Sequence, residues 1–171
     1  MTDVRATPLP EHTSSSNTLT SNSVNRNSPT RRRVLVVCTG NSARSIMAEA
    51  LFQALGQATM DVASAGSAPT GRVHPLALEQ ISQLPVDSSQ FTSKSLPAVL
   101  EAAEAPFDLV VTVCDHAAST CGPLPGDPQM LHWGLPDPAA HGEGEEARQA
   151  FSTCFDELKR RISDLLETEP A

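Results

Sequence analysis

Residues 31–45 read RRRVLVVCTGNSARS: a short apolar run, a cysteine, five small or polar residues, an arginine, and a serine that opens a helical pattern. RVLVV, 33–37, is a run of the buried-strand type, and SIMAEALFQAL, 45–55, carries Ile46, Ala50, Leu51, Ala54 and Leu55 at helical spacing. A loop between a strand and a helix start is suited to anions. Its successive N–H groups curl into a nest, and the helix adds its positive dipole end. Gly40 is expected to supply backbone geometry closed to other residues. Asn41 tolerates a left-handed conformation. Arg44 offers a planar fork that matches two oxygens of a tetrahedral oxyanion. The loop Thr39, Gly40, Asn41, Ser42, Ala43, Arg44 and Ser45 therefore reads as an oxyanion cradle. A free thiol titrates near ~8.5 and is pulled down at helix N-termini beside cations. A hydroxyl such as that of Ser45 stabilises the thiolate further. Cys38 thus reads as a nucleophile aimed at the oxyanion's central atom.

Outward from this loop the pattern alternates. DVASAG, 61–66, reads as a strand, HPLALEQISQL, 74–84, and LPAVLEAAE, 96–104, as helices, FDLVVTV, 107–113, as a strong strand and QMLHW, 129–133, as a weaker one. The segment 145–167 reads as a long amphipathic helix, with Phe151, Cys154, Phe155, Leu158, Ile162 and Leu165 on its apolar face. This alternation implies an α/β single domain, a central four-stranded parallel sheet flanked by helices. Ligands in such sheets bind at the carboxyl ends of the strands. Cys38 follows the first strand, Cys114 the third and Asp137 the fourth, so all three are expected on one edge of the sheet.

A chain of 171 residues holds one domain with a proper core. Residues 1–31, rich in Ser, Thr and Asn, cannot bury enough surface to offset their ordering entropy, so a disordered tail precedes a domain over 32–168. The tail has no apolar central stretch of the signal-peptide kind, and no run approaches membrane-spanning length, which points to a cytoplasmic protein. Net charge is −8: residues 1–33 contribute +3 and the remainder −11. An acidic domain is a poor match for nucleic acid, and the RRR run reads as a solvated flank. In a reducing compartment the four cysteines, Cys38, Cys114, Cys121 and Cys154, favour catalytic or metal roles over static disulfides. Cys154 reads as a packed core thiol and His74, near a helix start, as structural.

VLVVCTGNSARSIMAEALF resembles the phosphate-binding loop of the low-molecular-weight protein tyrosine phosphatase family, which includes the thioredoxin-linked arsenate reductases. The likeness extends over 33–167. LPDPA, 135–139, is similar to the family's Asp-Pro segment, which makes Asp137 the general acid. VTVCDHAASTCGPLP, 111–125, sets Cys114 at a strand end and Cys121 seven residues on. The six small or polar residues between them suit a mobile loop. The resemblance to the reductases implies a three-cysteine relay: Cys38 forms a thio-arsenate adduct, Cys114 attacks to give Cys38–Cys114, and Cys121 resolves it to Cys114–Cys121. An external thiol reductant, thioredoxin by the resemblance, then recycles the protein, with no organic cofactor or metal. HWGLPDPA, 132–139, also looks like the reductases' segment. The chain has no tyrosine and only 4% aromatic residues, so a wall for stacking a phosphotyrosine ring is hard to build.

Alternatives stay open. A phosphatase needs only Cys38, Arg44 and Asp137, and a non-catalytic oxyanion-binding or redox-sensing module needs less. Cys114 and Cys121 with His116 and His132 would make an unusually wide zinc spacing. His116 and Asp115 adjoin Cys114 and would tune it or stand as solvated loop residues. Asp137 would act as acid towards the leaving oxygen, as base towards Cys114, or as a turn cap. Some thioredoxin-linked relatives bind potassium beside the loop through Asn, Ser, Thr and Asp. Asn41, Ser64 and Thr92 match, but the Asp position holds Lys94, whose ammonium would replace the cation. The expectation is a monomer whose activity does not require potassium.

Overall fold

β1 (Arg32–Cys38) runs through the centre of the molecule, with Val34, Leu35, Val36 and Val37 fully buried. A continuous apolar run is what a strand covered on both faces needs. The computed structural model describes residues 31–168, so the expected tail, apart from Arg31, lies outside the described residues. After β1 come α1 (Arg44–Gly56), β2 (Met60–Gly66), α2 (Pro75–Ile81), α3 (Leu96–Ala102), β3 (Leu109–Thr112), α4 (Asp115–Thr120), β4 (Gln129–His132) and α5 (Glu145–Thr168). The sheet is all parallel, in the order β2-β1-β3-β4. From β1 the chain first winds to one side and then to the other. The ends of β1 and β3 therefore meet at the switch point, where such sheets bind ligands.

Expected and observed elements agree except at a few places. α1 is buried almost all round, from Ser45 to Phe52, because it lies against the sheet with α5 and α2 over it. α5 packs Ala147, Phe151, Cys154, Phe155, Leu158 and Ile162 inwards, and Leu165 stays partly buried at the margin. α2 and α3 stop short of the expected ends, at Ile81 and Ala102. Each starts as its sequence suggests. His74 Nδ1 accepts from the Leu76 amide at 3.2 Å, Ser95 Oγ accepts from the Ala98 amide at 3.3 Å, and a proline stands in each first turn. The His74 ring also stacks on Phe151 at 4.6 Å, so its role is structural.

One expectation is corrected: residues 115–120 form a helix, α4, rather than a loop. Small polar composition suggested mobility. However, Cys114 caps the segment, its Sγ accepting from the Ala117 amide at 3.4 Å, and Ala117 is fully buried. A second correction concerns glycine. The left-handed residue in the 38–45 loop is Asn41, with φ 42°, and Gly40 is absent from the positive-φ positions. The indispensable glycine is instead Gly66, at the end of β2. A Cβ there would lie 2.6 Å from the Thr39 carbonyl oxygen and 2.9 Å from Asn41 Cβ. Gly66→Ala therefore forces the loop backbone away, at a cost of about 2 kcal/mol. The expected melting point falls by about 4–8 °C, together with weaker phosphate binding. Thermal unfolding with and without phosphate checks both.

Candidate active site

Residues 38–45 are held open by their own carbonyls. The carbonyls of Cys38, Thr39, Gly40 and Ser42 accept from the amides of Ser67, Ala68, Thr70 and His74, at 2.9–3.1 Å. In a trans peptide, N–H points opposite to C=O. The amides of Thr39, Gly40, Asn41 and Ala43 are thereby turned inwards. That of Asn41 is caught in this orientation, donating to Cys38 Sγ at 3.2 Å. The nest is thus a consequence of how residues 67–74 hold the loop from behind.

A buried chain of hydrogen bonds supports the nucleophile. Asn41 Oδ1 accepts from the Lys94 amide at 2.6 Å, which fixes the orientation of its side chain. Its Nδ2 then donates to Ser45 Oγ at 2.9 Å and to Ser64 Oγ at 2.8 Å. Ser64 donates onward to Glu49 Oε2 at 2.5 Å. Ser45 Oγ, which accepts from Asn41 Nδ2, also lies 2.9 Å from Cys38 Sγ, and either of these two atoms can be the donor. The sulfur is thus held by the Asn41 amide and the Ser45 hydroxyl together. Cys38 is buried, with only 3% exposure, so an electrophile reaches it only through the cradle.

Arg44 joins the loop to the segment after β4. Its Nη1 donates to the Leu135 carbonyl at 2.8 Å, and Nη2 lies 3.4 Å from Asp137 Oδ2. The other carboxylate oxygen of Asp137 accepts from the Ala139 amide at 3.2 Å, capping the short 3₁₀ turn Pro138–His141. Asp137 is thus both a turn cap and a neighbour of Arg44. Above the cradle opens a cavity of about 710 Å³, lined among others by Cys38, Arg44, Arg72, His74, Asp137 and Arg148. The lining thus sets three arginines, Arg44, Arg72 and Arg148, against two carboxylates, Asp137 and Glu143.

Cys114 also arrives at this edge. It is buried, and its Sγ lies 3.4 Å from Thr39 Oγ1, so the residue after Cys38 touches the second thiol. Cys121 sits at the other end of α4, partly exposed, with burial pushing its thiol pKa up. Cys154, pushed up to about 12 chiefly by burial, stays a thiol at neutral pH. His132 is engaged by Thr112 and Asp115 rather than by a cysteine, and the His116 side chain is exposed. Among the described residues no group of three or more His, Cys, Asp or Glu is placed to hold a metal ion, and no helix is long and apolar enough to cross a membrane.

Of the residues matched to a cation site, Asn41, Ser64 and Lys94 come together, while Thr92 contributes its carbonyl to Lys94 Nζ at 3.1 Å. The sequence reading missed Glu49. Its carboxylate is nearly fully buried and 3.6 Å from Lys94 Nζ. Burial pushes its pKa up, while Lys94 and Ser64 pull it back. A signal was available: Glu49 is the one acidic residue in SIMAEALF, four residues after Ser45 and so on the same helix face.

Comparisons with known proteins agree with this geometry. The family described as low molecular weight phosphotyrosine protein phosphatase matches residues 33–169. The arsenate reductase of Halalkalibacterium halodurans is 38% identical over 140 residues, covering 81% of this chain and 97% of that protein. A solved arsenate reductase in its phosphate-binding state superposes with a TM-score of 0.62 at 28% identity, covering 80% of this chain and 97% of that one. The thioredoxin-dependent arsenate reductase of Corynebacterium glutamicum gives 0.59 at 30% identity, covering 81% of this chain and 61% of that one. This chain belongs to the low molecular weight phosphotyrosine protein phosphatase family, and its relatives include bacterial arsenate reductases.

Proposed function

We propose that this protein reduces arsenate to arsenite by a relay of Cys38, Cys114 and Cys121, recycled by thioredoxin. The observation that carries the reading is the placement of two buried thiols at the ends of adjoining strands, bridged by Thr39, in a relative of arsenate reductases. A phosphatase has no use for the second thiol. Cys38 thiolate attacks arsenic in the cradle, and Asp137 protonates the leaving oxygen, which departs as water. Cys114 thiolate then attacks Cys38 Sγ. The sulfur–arsenic bond breaks, its electron pair stays on arsenic, and arsenite leaves. Cys121 attacks Cys114 Sγ, freeing Cys38, and the external dithiol reduces Cys114–Cys121.

The geometry of α4 adds a requirement. Cys114 and Cys121 flank the helix at its two caps. At ~1.5 Å per residue their Cα atoms stand about 10 Å apart, beyond the ~7 Å limit for a disulfide. The last intramolecular step therefore needs α4 to unwind.

The test is arsenite production with thioredoxin, thioredoxin reductase and NADPH. Wild type is expected to turn over many times and Cys121→Ser once. No arsenite from wild type, with p-nitrophenyl phosphate hydrolysis undiminished in Cys114→Ser and Cys121→Ser, would return the site to a phosphatase. Tight arsenate binding without either turnover would leave an oxyanion-binding module.

The ammonium of Lys94, set between the Thr92 carbonyl and the buried Glu49 carboxylate, supplies the positive charge beside the loop. The rate of arsenite production is accordingly expected to be unchanged when potassium is replaced by a large organic cation. A clear loss of rate on that exchange defeats the idea.

A further inference from the structure

Three residues outside the proposed relay converge on the first turn of α4. His132, the last residue of β4, has its Nδ1 2.9 Å from the hydroxyl of Thr112, its register partner on β3. Its Nε2 lies 3.0 Å from Asp115 Oδ1, the carboxylate of the residue next to Cys114. The directions follow from chemistry: a carboxylate oxygen accepts, so Nε2 carries the proton. Thr112 is nearly fully buried and leaves the ring little choice of position. Gly134 makes the room, since a Cβ there would come 2.7 Å from Asp115 Oδ1 and 3.1 Å from His132 Nε2.

α4 has six residues, too few for a helix to persist without outside support. Its supports at the N-terminal end are the Cys114 cap, the buried Ala117 and this chain from the sheet. Asp115 itself is 92% exposed, so its contact with His132 adds no burial. It ties the first residue of α4 to the end of β4, next to Cys114, whose Sγ lies 3.4 Å from Thr39 Oγ1. The same contact holds closed the helix that must unwind for Cys121 to reach Cys114.

We propose that Thr112, His132 and Asp115 form a clamp that positions Cys114 for its attack on Cys38 Sγ, with His132 and Asp115 as positioning residues for that step. The clamp makes opposite contributions to the two disulfide steps: engaged, it aligns Cys114 with Cys38, and released, it frees α4 to open towards Cys121. The inference rests on the relay proposed above.

The experiment isolates the first disulfide step by using the Cys121→Ser background and measuring arsenite released in a single turnover. Asp115→Ala and His132→Ala are each expected to slow that release about fivefold, the value of one hydrogen bond. Asp115→Asn keeps an acceptor oxygen and is expected to restore most of the rate. Hydrolysis of p-nitrophenyl phosphate, which uses Cys38, Arg44 and Asp137 but not Cys114, is expected to stay unchanged in all three. Amide hydrogen exchange across 115–121 is expected to rise about fivefold in the two alanine variants. Unchanged arsenite release in both, or parallel loss of phosphate ester hydrolysis, would overturn the clamp. Absence of arsenite from the Cys121→Ser protein with the clamp intact would overturn the relay instead, and the exchange measurement still tests the clamp, because it involves no arsenic chemistry.

Discussion

Cys38→Ser is expected to lower arsenite production and p-nitrophenyl phosphate hydrolysis together, by at least ~10⁴-fold, as removal of a covalent nucleophile does elsewhere. The loss is chemical. A serine hydroxyl in this position still meets the Asn41 amide and Ser45 Oγ, the two partners of the sulfur. These partners do not make an alkoxide, whose parent alcohol is far weaker as an acid than a free thiol, which titrates near ~8.5. The cradle amides do not depend on the sulfur, because residues 67–74 orient them through the loop carbonyls. Phosphate affinity and the unfolding midpoint are therefore expected to stay close to wild type while both activities vanish. Steady-state assays, phosphate titration and thermal unfolding together make the check. Loss of one activity with survival of the other would show that the two reactions do not share a nucleophile.

Arg44→Lys keeps the charge and is expected to cost about 10²–10³-fold in the step that forms the Cys38 adduct. The guanidinium contacts the Leu135 carbonyl and Asp137 from different nitrogens, and so ties the segment carrying the proposed acid to the loop carrying the nucleophile. A lysine ammonium is a point charge on a flexible stem and cannot span both contacts while gripping two oxygens of an oxyanion. The expected signature is a lower kcat together with a raised KM, since both the grip on the oxyanion and the placement of Asp137 suffer. Phosphate titration of the variant reads the grip alone. A rise in KM with kcat untouched would mean that Arg44 binds the oxyanion equally in the ground and transition states and does nothing for Asp137.

Much of this architecture could be read from the chain. The apolar run before Cys38 and the mainly apolar, glycine- and proline-free stretch after Ser45 marked a strand–loop–helix unit because both segments are buried on nearly every side. Strand β4 was the weak reading for a physical reason: it is an edge strand whose residues are largely exposed, so its hydrophobic pattern is thin. α4 was misread because its stability comes from elsewhere. Cys114 caps it, the core takes Ala117, and His132 reaches it from another strand. The left-handed conformation that the chain suggested for Asn41 is the one found, and its side chain is gripped there by Lys94, Ser45 and Ser64, partners up to 53 residues away.

By itself, the sequence determined the chemistry on offer: a thiol at a strand end, an arginine six residues on, two further cysteines seven apart and an aspartate before proline. Local periodicity and covalent spacing are short-range properties, and they suffice for that. The tertiary structure alone decided which groups meet. It brought Glu49 beneath the loop, Gly66 against its backbone, Leu135 onto Arg44 and Thr39 onto Cys114. These contacts depend on strand order and register, which place residues tens of positions apart at the same end of one sheet, and no local pattern encodes them.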